Sequence, residues 1–176
     1  VLSYKKRKIF CFAIEGFSGS GKTSLGKLSR KGIEKIFGRT VFLDGYKLRK
    51  KLKLSSIHKD YTKSARARMN FPIAKLVNKY LRKDINVIYA WVGLNNFGRN
   101  ILKRRIKNLV IIHIQCNLED CRKHKKKVYK LNKNVVGADI KPEFPKKPKI
   151  VIKNNFKKPI KKVSFEMIKK LKKLYS

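Results

Sequence analysis

Acidic side chains are scarce in this sequence. Ten Asp and Glu stand against 48 Lys and Arg in 176 residues, a formal net charge of +38. Binding two nucleotides needs far less, and such a field attracts any polyanion: ATP, phosphorylated or sulfated nucleotides, RNA, DNA and anionic lipid surfaces. Nonspecific polyanion binding is therefore expected, although many of the lysines read as solvated surface. Cysteine is scarce too. Cys11, Cys116 and Cys121 are odd in number and follow no zinc spacing, which argues against a disulfide framework and for a reducing compartment. Long apolar runs are missing as well. No stretch approaches the roughly 20 apolar residues of a membrane span, and "VLSYKKRKIF" lacks the apolar segment of a secretory signal. A cytoplasmic location is expected, along with a few natural residues ahead of Val1. His58 and His124 sit among lysines without carboxylate or cysteine partners and His113 reads as a core or strand-edge residue, so no protein-borne metal site is expected.

The chain does have enough apolar content to fold, with 42% hydrophobic and 10% aromatic residues. Its length suits one domain, residues 1–176, with a basic lid or loop at about 122–149. Short apolar runs alternate with amphipathic ones. "KIFCFAIEG" reads as a buried strand entering a turn, and "KTSLGKLSRKGIEKIFG" as a helix stopped by Gly38. "TVFLDG" is a second strand. "SARARMNFPIAKLVNKYLRK" is helical, with Pro72 either kinking it or marking its true start. "INVIYAWVG" and "NLVIIHIQC" are two further strands joined by a basic helix. "LEDCRKHKKKVYKL" is a helix opened by Glu119 and Asp120, whose charges suit its dipole. Residues 132–149 carry three prolines and read as a long loop near a site. "PKIVIKN" is a last strand and "VSFEMIKKLKKLYS" a terminal helix. This alternation implies a parallel sheet covered on both faces, with ligands at the carboxyl ends of its strands where the loops after Ile14 and Leu43 meet.

"GFSGSGKTSL" carries the chemistry. Gly16, four residues, Gly21, Lys22 and Thr23 complete the phosphate-loop pattern between a strand and a helix. Glycines let backbone N–H groups converge on a β-phosphate, Lys22 reaches the β and γ oxygens, and the Thr23 hydroxyl suits Mg²⁺. Asp44, at the end of the second strand, projects toward the same edge.

The order of motifs resembles adenylylsulfate kinase. It runs through "GFSGSGKTSL", "FLDGYKLR", "LKLS", "INVIYA", "LEDC", "KKVYK" and "VVGADIKPEFPKKPKIVIKN", about residues 9–155. The resemblance implies a P-loop NTPase-type three-layer α/β/α sandwich with a mostly parallel five-stranded sheet. It also implies transfer of the γ-phosphoryl of ATP to the ribose 3′-hydroxyl of adenylylsulfate, with Mg²⁺, in sulfate assimilation, and a homodimer. Carried over by position, Gly16, Phe17, Ser18, Gly19, Ser20, Gly21, Lys22, Thr23 and Ser24 form the ATP phosphate site and Thr23 binds the metal. Lys22 and Asp44 serve the transfer, while Arg49, Ser55, Arg66, Arg68 and Lys126 contact substrate. The departures are specific. Tyr46 stands where the family has an Asp, Leu54 where it has a phenylalanine, His124 where the lid has an Asp, and Gly93 where many members carry a phosphorylated serine. Two alternatives follow. One is a related kinase with another nucleotide-linked acceptor, read by a pocket around Leu54, Arg66 and Trp91. The other is a degenerate loop protein that binds ATP or nucleic acid without transfer.

Overall fold

A computed structural model of the protein describes residues 8–52 and 61–175. Its five strands are β1 (Cys11–Glu15), β2 (Thr40–Asp44), β3 (Asn86–Trp91), β4 (Leu109–Gln115) and β5 (Ile150–Lys153). Every neighbouring pair is parallel, in the order β2-β3-β1-β4-β5. The helices are α1 (Lys22–Phe37), α2 (Gly45–Lys51), α3 (Lys63–Arg68), α4 (Asn70–Leu81), α5 (Asn96–Arg105), α6 (Leu118–His124), α7 (Lys126–Leu131) and α8 (Ile160–Tyr175). The α/β/α sandwich with a five-stranded sheet is the expected fold, and all of its strand pairs are parallel.

Strand alternation builds two cores. Phe12, Ile14, Ile88 and Ile112 face one side, where α1 and α8 bury Leu25, Ile33, Met167 and Leu171 against them. Cys11, Ala13, Val87 and Tyr89 face the other, against Ile73 and Val77 of α4 and Leu102 of α5. Each large side chain so buried contributes about 1.5–3 kcal/mol relative to exposure. A smaller cluster of Phe17, Leu94, Cys121 and Val136 closes the carboxyl edge beside the glycine loop. At the opposite edge the buried Asn86 accepts from the Phe10 N–H at 2.8 Å and donates to the Phe37 carbonyl at 2.9 Å, so its polar ends are satisfied.

The second strand ends at Asp44 as expected, and its carboxylate accepts from the N–H groups of Tyr46 and Lys47, which caps α2. Two boundaries differ from expectation for local reasons. The helix expected across 64–83 is two helices, and Pro72 falls in the first turn of α4, where its missing N–H costs no intrahelical bond. The helix expected across 118–131 breaks at Lys125 (φ −133°, ψ 43°), dividing α6 from α7. Among the described residues no helix is long and apolar enough to cross a membrane.

Candidate active site

The phosphate loop joins β1 to α1 at the centre of the sheet. Gly21 caps α1 in the left-handed region at φ 91°, and no side chain covers that helix end. The first N–H groups of α1 thus lack intrahelical acceptors and face whatever anion binds there. Gly19 permits a close approach from α6. It sits at φ +86°, and a β-carbon on it would lie 2.5 Å from the carbonyl oxygen of Cys121 in α6. Two more contacts hold the loop from outside. The Tyr129 hydroxyl donates to the Ser18 carbonyl at 2.9 Å, and Asn154 Nδ2 donates to the Ser20 carbonyl at 3.0 Å. α7 and the segment after β5 therefore fix the loop's carbonyls.

Lys22 is buried, and its Nζ donates to the Phe17 carbonyl at 2.5 Å. Burial pushes its ammonium down to about 8, while nearby Cys121 and Asp44 act in the opposite direction. Thr23 Oγ1 donates to Asp44 Oδ2 at 2.7 Å, so the loops after β1 and β2 meet as the topology predicts. A hydroxyl and a carboxylate are hard oxygen donors that suit Mg²⁺. Among the described residues no group of three or more His, Cys, Asp or Glu could hold a metal ion. An ion here would complete its shell with phosphate and water oxygens.

The ring of Tyr61 has two guanidiniums within cation–π reach: Arg49 is 4.5 Å and Arg66 5.1 Å from its centre. Arg49 is buried, and Arg66 donates to the carbonyls of Tyr61 and Asn134, both at 2.8 Å. Burial and then the Arg49 charge pull Arg66 down to about 10. Two guanidiniums brought to one aromatic ring concentrate positive charge there, which favours an anion nearby. Arg68 and Lys126 are exposed, at the end of α3 and the start of α7. Ser55, Leu54 and His58 lie outside the described residues. Tyr46 is 59% exposed beside Lys50, whose Nζ is 4.7 Å from its ring. Trp91 is buried and stacks on Tyr89, with ring centroids 5.8 Å apart. His124 stacks on Phe156 with centroids 3.8 Å apart, and His113 is buried as expected.

Sequence reasoning passed over two features. Cys116 and Cys121 bring their sulfurs within 3.0 Å beside the loop, the Cys121 thiol donating. Glu15, fully buried, pairs with Arg99, whose Nη1 is 3.2 Å from both carboxylate oxygens. A glutamate closing an otherwise apolar strand marks Glu15 in the sequence, but nothing there points to Arg99 as its partner.

Similarity to known proteins agrees with this geometry. Residues 8–153 match the adenylylsulphate kinase family. A cytidine diphosphoramidate kinase of Campylobacter jejuni is 27% identical over 94% of this chain and 98% of its own length. An adenylyl-sulfate kinase of Clostridium acetobutylicum is 30% identical over 78% of this chain and 70% of its own. The solved Mycobacterium tuberculosis APS kinase, in complex with AMPPNP and APS, shares the fold with a TM-score of 0.72 at 19% identity, covering 93% of this chain and 98% of that one. With its phosphate loop intact and most of its length matched, the chain belongs to the adenylylsulphate kinase family, and it is a nucleotide-binding phosphotransferase with a hydroxyl acceptor.

Proposed function

We propose that the chain transfers the γ-phosphoryl of ATP to a ribose hydroxyl of a nucleotide whose phosphate carries a small capping group, with cytidine diphosphoramidate preferred over adenylylsulfate. The observation that carries the acceptor class is the Arg49–Tyr61–Arg66 cluster, two guanidiniums at one ring that would grip the capped phosphate. The choice of base rests on the Campylobacter jejuni relative, which aligns along nearly all of both chains. Adenylylsulfate remains the second reading, supported by the family and by the Clostridium acetobutylicum relative.

In the transfer, the acceptor oxygen forms a bond to the γ-phosphorus as the bond to the β,γ-bridging oxygen breaks. ADP leaves, and the hydroxyl proton passes to Asp44 or to water. Gly16 through Ser24 cradle the triphosphate, and Lys22 offsets charge on the leaving and transferring oxygens. Thr23 and Asp44 would hold Mg²⁺, which when bound neutralises phosphate charge. Arg49 and Arg66 orient the acceptor, with Arg68 and Lys126 as outer cations. Catalysis of this kind is mainly positioning and electrostatics, so a phenol at position 46 is compatible with turnover.

The test is ADP formation from Mg-ATP with cytidine diphosphoramidate, with adenylylsulfate, and with neither, using Lys22→Ala as the control. Turnover dependent on the cytidine compound and lost in the mutant is the expected result. Turnover with adenylylsulfate alone selects the second reading. Intact ATP binding without turnover of either compound rejects both acceptors.

A further inference from the structure

Glu15 is the last residue of β1, directly before the phosphate loop, and it pairs in register with Trp91 of β3 and His113 of β4. Its carboxylate is fully buried. Removing such a charge from water costs several kcal/mol unless a partner is in place. Arg99 of α5 supplies the partner, and His113 Nδ1 lies 3.7 Å from Oε1. The carboxylate also fills the space above Gly93, where a β-carbon would come within 2.3 Å of Oε2.

Arg99 points its other nitrogen away from β1. Nη2 donates to Asn96 Oδ1 at 2.5 Å and to the Glu143 carbonyl at 2.6 Å. The Glu143 carboxylate accepts from the Lys63 ammonium and, at 2.7 Å, from the Asn96 N–H, while the Glu143 N–H donates to the Leu94 carbonyl at 2.9 Å. Lys63 opens α3, and one turn on Arg66 reaches the Asn134 carbonyl at 2.8 Å. The helix bearing the anion grip and the loop across 134–143 are thus tied at two points, and one tie runs back to Glu15.

We propose that Glu15 is a positioning residue which, through Arg99 and Glu143, holds α3 and the 134–148 loop against the carboxyl edge of the sheet and so sets the acceptor half of the site. The proposal rests on the kinase reading for its substrate consequence. A buried ion pair is weak evidence for stability, since an apolar pair of similar volume packs as well or better. What the apolar pair cannot supply is the outward donor of Arg99 on the Glu143 carbonyl. The triphosphate half has its own ties, Tyr129 to Ser18 and Asn154 to Ser20. Losing Glu15 therefore loosens one half and leaves the other.

The experiment compares wild type, Glu15→Gln and the paired Glu15→Leu, Arg99→Met variant. Melting temperature, KM for Mg-ATP, KM for cytidine diphosphoramidate and for adenylylsulfate, and hydrogen exchange of the apoprotein are measured. Glu15→Gln is expected to raise the acceptor KM about tenfold, as network substitutions typically do, with the ATP KM within about twofold. Exchange should speed up across 94–98 and 134–148 and stay unchanged across 16–25. The apolar pair should recover the melting temperature without recovering acceptor KM. Recovery of acceptor KM by the apolar pair, a parallel rise in both KM values, or exchange that rises everywhere or nowhere overturns the proposal. If wild type turns over neither acceptor, that result counts against the kinase reading alone, and the localisation of exchange decides this one.

Discussion

Thr23 donates its hydroxyl hydrogen to Asp44 across 2.7 Å, joining the start of α1 to the end of β2. Asp44 has a second duty, because its other oxygen accepts from the N–H groups of Tyr46 and Lys47 at 3.0 and 3.1 Å. The two duties separate by substitution. Asp44→Ala is expected to lose about 1 kcal/mol of capping and roughly a hundredfold or more in turnover. Asp44→Asn keeps a capping oxygen, so its melt should stay near wild type while turnover falls. Asparagine turning over like aspartate would remove the carboxylate from the chemistry.

Lys22 makes ATP binding pH-dependent. Its ammonium is lowered from 10.5 to about 8 by burial, so between those values the unfolded chain binds more protons than the folded one. The penalty on the folded state is fully present below about 8 and fades as pH rises toward 10.5. A bound triphosphate favours the charged form. Mg-ATP binding at about pH 8.5 should therefore take up a proton that it does not take up at about pH 7. Calorimetry in buffers of different ionisation enthalpy measures this directly, and Lys22→Met should abolish the uptake.

Tyr46 occupies an exposed position on α2, where its hydroxyl is not expected to serve as a base, because an un-ionised phenol is a poor one near neutral pH. Tyr46→Phe should keep turnover within about threefold. Tyr46→Asp, which places a carboxylate two residues after Asp44, should raise turnover with adenylylsulfate relative to the cytidine compound. Steady-state rates on both acceptors check each outcome, and a large loss in Tyr46→Phe would give the hydroxyl a role.

Gly93 has no room for a side chain. A β-carbon there would lie 2.3 Å from Glu15 Oε2 and 2.6 Å from Glu15 Cβ, and Glu15 is buried with no space to retreat. Gly93→Ser is expected to cost about 1–3 kcal/mol, read as a melting temperature several degrees lower. Adding Glu15→Ala should not recover that loss, because the Glu15 Cβ contact at 2.6 Å remains and the buried Arg99 loses its partner. An unchanged melt in the single variant would mean that the edge of the sheet yields.

The sheet was legible in the sequence because its strands are short apolar runs bounded by glycine and charge, and parallel strands buried on both faces leave that mark. The phosphate loop was legible because its chemistry dictates residue types at fixed spacing. The break at Met69 was partly legible through Pro72, whereas the break at Lys125 was not, since a helix can stop for tertiary reasons with no local breaker, as α6 does where it meets Gly19. Arg49 and Arg66 could be named by resemblance, but their meeting on Tyr61 depends on a fold that brings α2 and α3 together. The Glu15–Arg99 pair was illegible for the same reason: 84 positions separate its partners, and a lone glutamate or arginine carries no spacing signal.

β1 lies between β3 and β4, pairing Cys11 with Val87 on one side and with Leu109 on the other. Its hydrogen-bonding partners are thus made long after it during synthesis. The nucleotide-binding turn emerges early from the ribosome, yet it has no sheet to hang from until Leu109–Gln115 has followed. Nascent chains ending before β4 should bind no ATP, and the capacity should appear abruptly once that strand clears the exit tunnel.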